Sequence, residues 1–454
     1  MPKSPRKLEN PIRLFNLPGL RHKILGLTFA LLLPVSVHAC PDLTPFYPGD
    51  NPDWSSLSLQ LISLMPECLE SPEYFALLGA AQLNSGDVAE SLETLERALL
   101  LEPDNGAAQI DYAQALYLQG QLFSALELNS RLLRRDDLPA NLQPLLQDRQ
   151  QSWQALTRQG SIRLDLLAGY DNNLNSAPDP GQITLTLSGE PVLLALNPEF
   201  RPLSGPYMNF RLGGRYRQLA PGYQHNWLLE TRGRVSEDTK SDLLQVDSRY
   251  AFIRPDPQHS WQLTGGISHL LFGGSSLYTA TEISSVYQPQ AGANCRPYFI
   301  VAAQHQLFHD QSRLNALESK ATAGTNCPYS SSLGAQQLGL EVGLLNNAAL
   351  KAGRPGGDRN GWQTNVNWQL RLRNSQLRSQ LSYTRQTDTD GYSPLLENGA
   401  ERWLERSYVF VQFRQPLSYR ATLLINLFHQ RQRSNIELFD TTDSTFEIGV
   451  SLEL

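Results

Sequence analysis

The chain has 454 residues, with 44 acidic against 38 basic side chains and a formal net charge of −6. Removing residues 1–39 takes away six basic residues and one acidic one, leaving about −11. Nucleic-acid affinity rests on neutralising phosphates, so an acidic chain without a basic run excludes that class of partner.

The N-terminus reads as a targeting segment rather than as fold. A basic stretch from Lys3 to Lys23 precedes the apolar run "ILGLTFALLLPVSV" and then "VHA". Cleavage after Ala39 fits Val37 and Ala39 at the −3 and −1 positions. "VHAC" also half-resembles a lipobox with Cys40 as the acylated residue, so plain cleavage and acylation both stand. Either way the chain is exported, which permits disulfides. No later window offers the roughly 18 uncharged apolar residues of a spanning helix. The mature chain is therefore either soluble or a membrane β-barrel, whose strands never look that apolar.

Residues 72–105, "PEYFALLGAAQLNSGDVAESLETLERALLLEPDN", have helical spacing broken by an "NSGD" turn. The pattern is that of a tetratricopeptide repeat, with Phe75, Leu78, Gly79, Leu95, Ala98 and Pro103 at signature positions. A shift of one 34-residue period puts Ala113 under Gly79 and Ala125 under Ser91, giving a second, looser copy. A helix pair around Trp54 to Leu64 is expected as a degenerate first repeat. A last helix, 139–159, is expected to stop at Gly160.

From 161 to the end the period changes to two, over about fourteen segments. In "NGWQTNVNWQLRLRN", Trp362, Thr364, Val366, Trp368, Leu370 and Leu372 share one face, and Gln363, Asn365, Asn367, Gln369, Arg371 and Arg373 the other. Turning the arginine face to lipid costs about 2–4 kcal/mol per residue near mid-membrane, which fixes the polar face inward. The connections sort by length: short near 220–223, 255–258, 328–332, 373–376 and 416–418, long at 172–206, 346–360 and 387–401. Short periplasmic turns and long outer loops are the habit of outer-membrane barrels. The fold class is α+β multidomain: an N-terminal α-helical repeat domain followed by a 14-stranded antiparallel transmembrane β-barrel. The expected divisions are a signal peptide 1–39, a periplasmic helical domain 40–160, and an outer-membrane barrel 161–454.

The four cysteines test the register. Cys295 and Cys327 are equidistant from a turn at Gln311, so antiparallel pairing sets them opposite each other and predicts a disulfide. The same register pairs Phe299 with Ala323 and Val301 with Ala321, leaving Glu318 and Lys320 inward. Cys40–Cys68 is the remaining pair, in competition with acylation of Cys40.

Catalytic signatures are missing: no G-x-S-x-G, H-E-x-x-H, P-loop or C-x-x-C occurs. His305 and His309 on a strand lie about 13 Å apart, too far for one metal. No enzyme activity, cofactor or metal is expected.

The first strand ends in "DNNLNSAPDP", where Asn and Asp favour a turn. "QITLTLSG" and "EPVLLALN" follow as a candidate hairpin over or inside the mouth, and "PEFRPLSGPYMNF" leads back. This order resembles the surface lipoprotein assembly modulator (Slam) family, with "DNNLNSAP" (Asp171, Asn173, Asn175, Ala177, Pro178) and "RPLSG" as the matching stretches. The resemblance covers roughly 72–454. It implies movement of surface lipoproteins or secreted proteins across the outer membrane. The repeats would receive the client in the periplasm, and outer-membrane lipid, periplasmic chaperones and the barrel-assembly machinery would be further partners. Candidate passage-lining residues are Glu230, Arg232, Asp247, Arg249, Arg371, Arg373 and Arg378, unless they merely wet the pore. Ile110, Gln114 and Tyr117 are candidates for a client groove on the repeats, unless they serve helix packing. A polysaccharide-export or solute porin with a helical adaptor is the competing function.

Overall fold

The computed structural model describes residues 40–49, 52–256, 258–289 and 295–454. The cleavage site expected at Ala39 lies outside them. The chain divides into two compact units, 1–111 and 112–454. No helix among the described residues is long and apolar enough to cross a membrane.

The first unit holds α1 (Trp54–Leu64), α2 (Pro72–Ser85) and α3 (Val88–Leu101); α4 (Gly106–Leu118) crosses the division. Local chemistry sets the ends. Asp53 accepts the Ser56 N–H, Ser71 accepts the Tyr74 N–H ahead of Pro72, and Gly86 ends α2 at a φ of 97°. Gly79 is required where α2 meets α3, since a Cβ there would stand 2.5 Å from the Leu95 side chain. Ser91 Oγ donates to Gly79 O at 2.8 Å, and Leu78, Leu95 and Ala98 are fully buried around this contact. The expected helix pair ahead of the repeat is instead the single α1 and a 3-10 turn, Met65–Glu67. Pro41, Pro45, Pro48 and Pro52 remove the N–H groups a preceding helix would need. Cys40 is disulfide-bonded to Cys68, tying down this segment, whose described residues before α1 hold only the 3-10 turn Thr44–Phe46.

After the remainder of α4, the second unit continues with α5 (Leu122–Leu132) and α6 (Gln143–Leu156). Asn129, fully buried, donates to Leu146 O at 2.9 Å and Gln150 Oε1 at 2.8 Å, binding the two helices. Ala113 and Ala125 are buried, as the repeat alignment requires. The last helix is shorter than the 139–159 expected, and Gly160 is a strand residue rather than its stop. Pro144 opens the helix, and Thr157 O already accepts the Leu219 N–H of the barrel wall at 2.7 Å, so pairing takes the backbone before Gly160 is reached.

Fourteen strands then close a barrel. They are β1 (Arg158–Asp171), β4 (Gly205–Ala220), β5 (Tyr223–Ser236), β6 (Leu243–Arg254), β7 (His259–Phe272), β8 (Ser275–Pro289) and β9 (Arg296–Phe308), followed by β10 (Ala316–Ser331), β11 (Gly334–Ala349), β12 (Arg359–Arg371), β13 (Gln376–Gly391), β14 (Glu401–Pro416), β15 (Ala421–Ser434) and β16 (Thr441–Glu453). Each pairs antiparallel with its neighbours, and β1 closes on β16 from Arg163–Glu453 to Asp171–Thr445. A separate hairpin, β2 (Gln182–Leu187) and β3 (Glu190–Ala195), lies within the 172–204 connection.

Closure leaves no free edge and lets every backbone group in the wall bond to a neighbour, the condition for a sheet to sit in lipid. Outward positions are exposed and apolar: Leu229, Ile283, Val301, Val342 and Leu344 among them. Aromatic contacts ring the outer face near the short turns, as Tyr216–Trp227, Trp227–Tyr250 and Trp261–Tyr287, and Trp362–Tyr383 lies toward the other rim. Such belts mark the two interfaces of a membrane band. The three long connections expected, 172–204, 350–358 and 392–400, gather at one rim and the tight turns 221–222, 332–333 and 372–375 at the other, although the long-loop rim also holds the two-residue turn 273–274.

The Cys295–Cys327 disulfide is formed, and its register is the one the sequence dictates, with Phe299 opposite Ala323 and Val301 opposite Ala321.

Candidate functional site

The site is the lumen and the loop fastened to its wide-loop rim. Asp171 ends β1 with its carboxylate buried: Oδ1 accepts the Asn173 N–H at 2.7 Å and Oδ2 accepts Arg234 Nη1 at 3.0 Å. Asn173 is the clasp. Its Oδ1 accepts the Ala177 N–H at 2.9 Å, and its Nδ2 donates to Ala177 O at 2.9 Å and to Thr442 O of β16 at 3.1 Å. Asn175 joins the two ends of the loop, accepting the Leu203 N–H at 3.0 Å and donating to Arg201 O at 2.9 Å. Pro178 follows and has no N–H to offer.

Two more residues complete the fastening, and the sequence motif did not single them out. Asp179 accepts the Thr442 N–H and hydroxyl at 2.8 and 2.7 Å. Arg234 donates to Leu174 O at 2.6 Å and Ser241 O at 3.0 Å, so one guanidinium holds two loops and Asp171. Asp and Asn at two-residue spacing was the only signal of a turn; Arg234 and Thr442 sit 60 or more positions from the loop residues they hold, and the partners of Asn175 sit 26 and 28 positions away. The hairpin rides on this base, with the Thr186 N–H donating to Leu395 O at 2.9 Å and Ile183 buried.

Inside, the wall is rich in side-chain amides. A cavity of about 610 Å³ is lined by Asn209, Asn326, Asn367, Gln380, Gln412 and Asn426, with Arg211, Arg378, Asp165 and Glu447 between them. Glu447 accepts from Tyr207, Asn209 and Asn426 at 2.9, 2.9 and 2.8 Å, and Glu341, elsewhere on the wall, from Tyr298 and Asn365 at 2.6 and 3.1 Å, whereas Asp165 Oδ1 is buried without a hydrogen-bond partner and has Arg163 Nε 3.4 Å away. Near the loop rim Asp388 pairs with Arg359 at 2.9 Å and Arg402 at 3.0 Å, and Arg402 stacks on Tyr392 and Phe439. Buried charges persist only when paired in this way.

The structure separates the passage candidates. Glu230 pairs with Arg211 at 3.5 Å, and Arg232 lies 3.9 Å from Asp247 while bonding Gln245; these are wall-to-wall contacts. Arg378 and Arg249 each line a lumenal cavity. Arg371 is the last residue of β12 and lies at the mouth. Arg373 is not on the wall: it falls in the 372–375 turn, because the polar alternation of β12 runs on past the point where pairing stops. On the repeats, Tyr117 stacks on Trp153 of α6 at 4.9 Å, which makes it a packing residue, while Ile110 and Gln114 are half-buried.

The molecule is thus an outer-membrane-type barrel carrying a tetratricopeptide-like helical domain. The model of the tetratricopeptide repeat matches residues 82–148. No curated protein sequence matches the chain. Among solved structures, an anion-selective porin from Comamonas acidovorans aligns at 9% identity and TM-score 0.37, over 65% of this chain and 99% of the porin. CdiB from Acinetobacter baumannii aligns at 12% identity and TM-score 0.34, over 64% and 60% of the two chains. A bacterial polysaccharide outer membrane secretin aligns at 7% and 0.34, over 64% and 98%.

Proposed function

We propose that this protein is an outer-membrane translocator that assists export or surface display of partner proteins, surface lipoproteins or soluble secreted ones. The helical repeats receive the client in the periplasm and the barrel passes it outward, without catalysis or a bound cofactor. One observation carries the reading. A repeat of the kind used to hold extended protein segments continues, through α6 and the single residue Thr157, into the first barrel strand. A solute pore has no use for such a module. The fastened loop supports the same reading, since its Asp171–Pro178 clasp is the element that resembles the Slam family. Periplasmic chaperones and the barrel-assembly machinery are partners on this reading.

The test is deletion of the gene followed by protease shaving of whole cells. Loss of one or a few surface proteins, restored by the intact chain, is expected. An unchanged surface protein set, with altered uptake of a solute or loss of an exported polysaccharide, overturns it in favour of a porin.

A further inference from the structure

A second lumenal cavity, of about 630 Å³, opens toward the short-turn end among β1, β4, β5, β6 and β7. Arg215, Arg217 and Arg249 line it together with Gln159, Asn226 and Gln262, and no carboxylate does. Elsewhere in the lumen the arginines that hold the fold face carboxylates: Arg234 with Asp171, and Arg359 and Arg402 with Asp388. Among the described residues, Arg215 and Arg249 make no ion pair, and Arg217 reaches only the Gln159 amide oxygen. Like charges gathered without counter-charges cost free energy. Three of them line this one cavity with side-chain amides and no carboxylate, an arrangement that suits an anion.

The spacing narrows the ligand. Arg215 and Arg217 share one face of β4 two residues apart, about 6.8 Å along the strand. Arg215 is level with Leu228, and Leu228 with Arg249, so Arg249 sits two strand spacings across, about 9.5 Å. An extended peptide has the same two-residue repeat as β4. Carboxylates on its alternate residues fall in step with Arg215 and Arg217, and the neutral amides suit its backbone. A single small anion spans no such distance. We propose that this cavity binds an extended peptide segment bearing acidic side chains at alternate positions, at the short-turn mouth of the lumen. The peptide nature of the ligand rests on the translocator reading.

The test uses the purified full chain in detergent and fluorescent peptides of alternating Glu-Ser and Lys-Ser, followed by anisotropy. Saturable binding of the Glu-Ser peptide is expected, at least about tenfold tighter than Lys-Ser and weakening steeply with salt. R249Q is expected to weaken it about threefold and R215Q/R217Q/R249Q about tenfold or more, with the heat-modifiable mobility of the folded barrel retained. If the triple variant does not fold, R249Q and the Lys-Ser comparison decide. Equal affinity for the two peptides, or no effect of R249Q, overturns the proposal. So does binding of tripolyphosphate without binding of the Glu-Ser peptide. Acidic-peptide binding with unchanged surface proteins in the deletion strain leaves the site standing and removes the translocator, so the two failures are distinct.

Discussion

Replacing Asn173 with alanine is expected to release the 172–204 loop while leaving the barrel intact. The side chain makes three hydrogen bonds, two to Ala177 and one to Thr442 O. At about 1 kcal/mol net for each, the substitution removes roughly 3 kcal/mol from the fastened state. A tenfold change in equilibrium corresponds to about 1.4 kcal/mol, so the released population rises about 100-fold. Amide hydrogen exchange reads local opening directly. In the variant, the amides of Leu174, Ala177, Asp179 and Leu203 are expected to exchange about 100 times faster, with those of β9 to β12 unchanged. Asn197→Ala is the control: it lies in the same loop, and among the described residues its side chain makes no hydrogen bond. A change below about threefold in Asn173→Ala refutes the clasp and shifts the anchoring to the hairpin's contact at Leu395.

Asp388→Ala leaves Arg359 and Arg402 buried without a counter-charge, a loss of about 3–5 kcal/mol; the temperature at which the folded band disappears on unboiled gels is expected to fall, and Asp388→Ala with Arg402→Met to recover part of it. Gly79→Val forces a side chain into Leu95 and is expected to destabilise the α2–α3 pair by about 1–3 kcal/mol, read as a lower helical melt in the full chain and eased by Leu95→Ala. Non-reducing peptide mapping is expected to recover the Cys40–Cys68 and Cys295–Cys327 linked peptides. Because the Cys40 sulfur is taken, labelled fatty acid is expected not to attach there, and acylation of Cys40 in the mature chain contradicts the pairing.

Much of the barrel was legible because lipid makes the period-two pattern strict: one slipped residue turns arginines outward. That strictness fixed the β9–β10 register, and with it the Cys295–Cys327 bond. The same rule failed at Arg373, since alternation is a property of one strand and pairing a property of two. Asp171, Asn173 and Asn175 were recognisable as turn formers, but their partners Thr442 and Arg234 come from distant strands. Of the three arginines in the short-turn cavity only Arg249 was singled out. Arg215 and Arg217 acquire meaning when β4, β5 and β6 are laid level. Gly160 looked like a helix stop because glycine serves both purposes, and the bond from Leu219 to Thr157 decided between them.

The pairing of β1 with β16 has a consequence for biogenesis. Every other junction in the wall joins strands adjacent in the chain or separated only by the fastened loop, so each forms as a local hairpin with little entropy to lose. The β1–β16 junction joins residues at opposite extremes of the barrel sequence, and its ring closure carries the largest loop penalty. A curled but unsealed sheet, complete in its hairpins and parted along that one line, is accordingly the species expected to accumulate whenever the final strand is delayed, truncated or weakened.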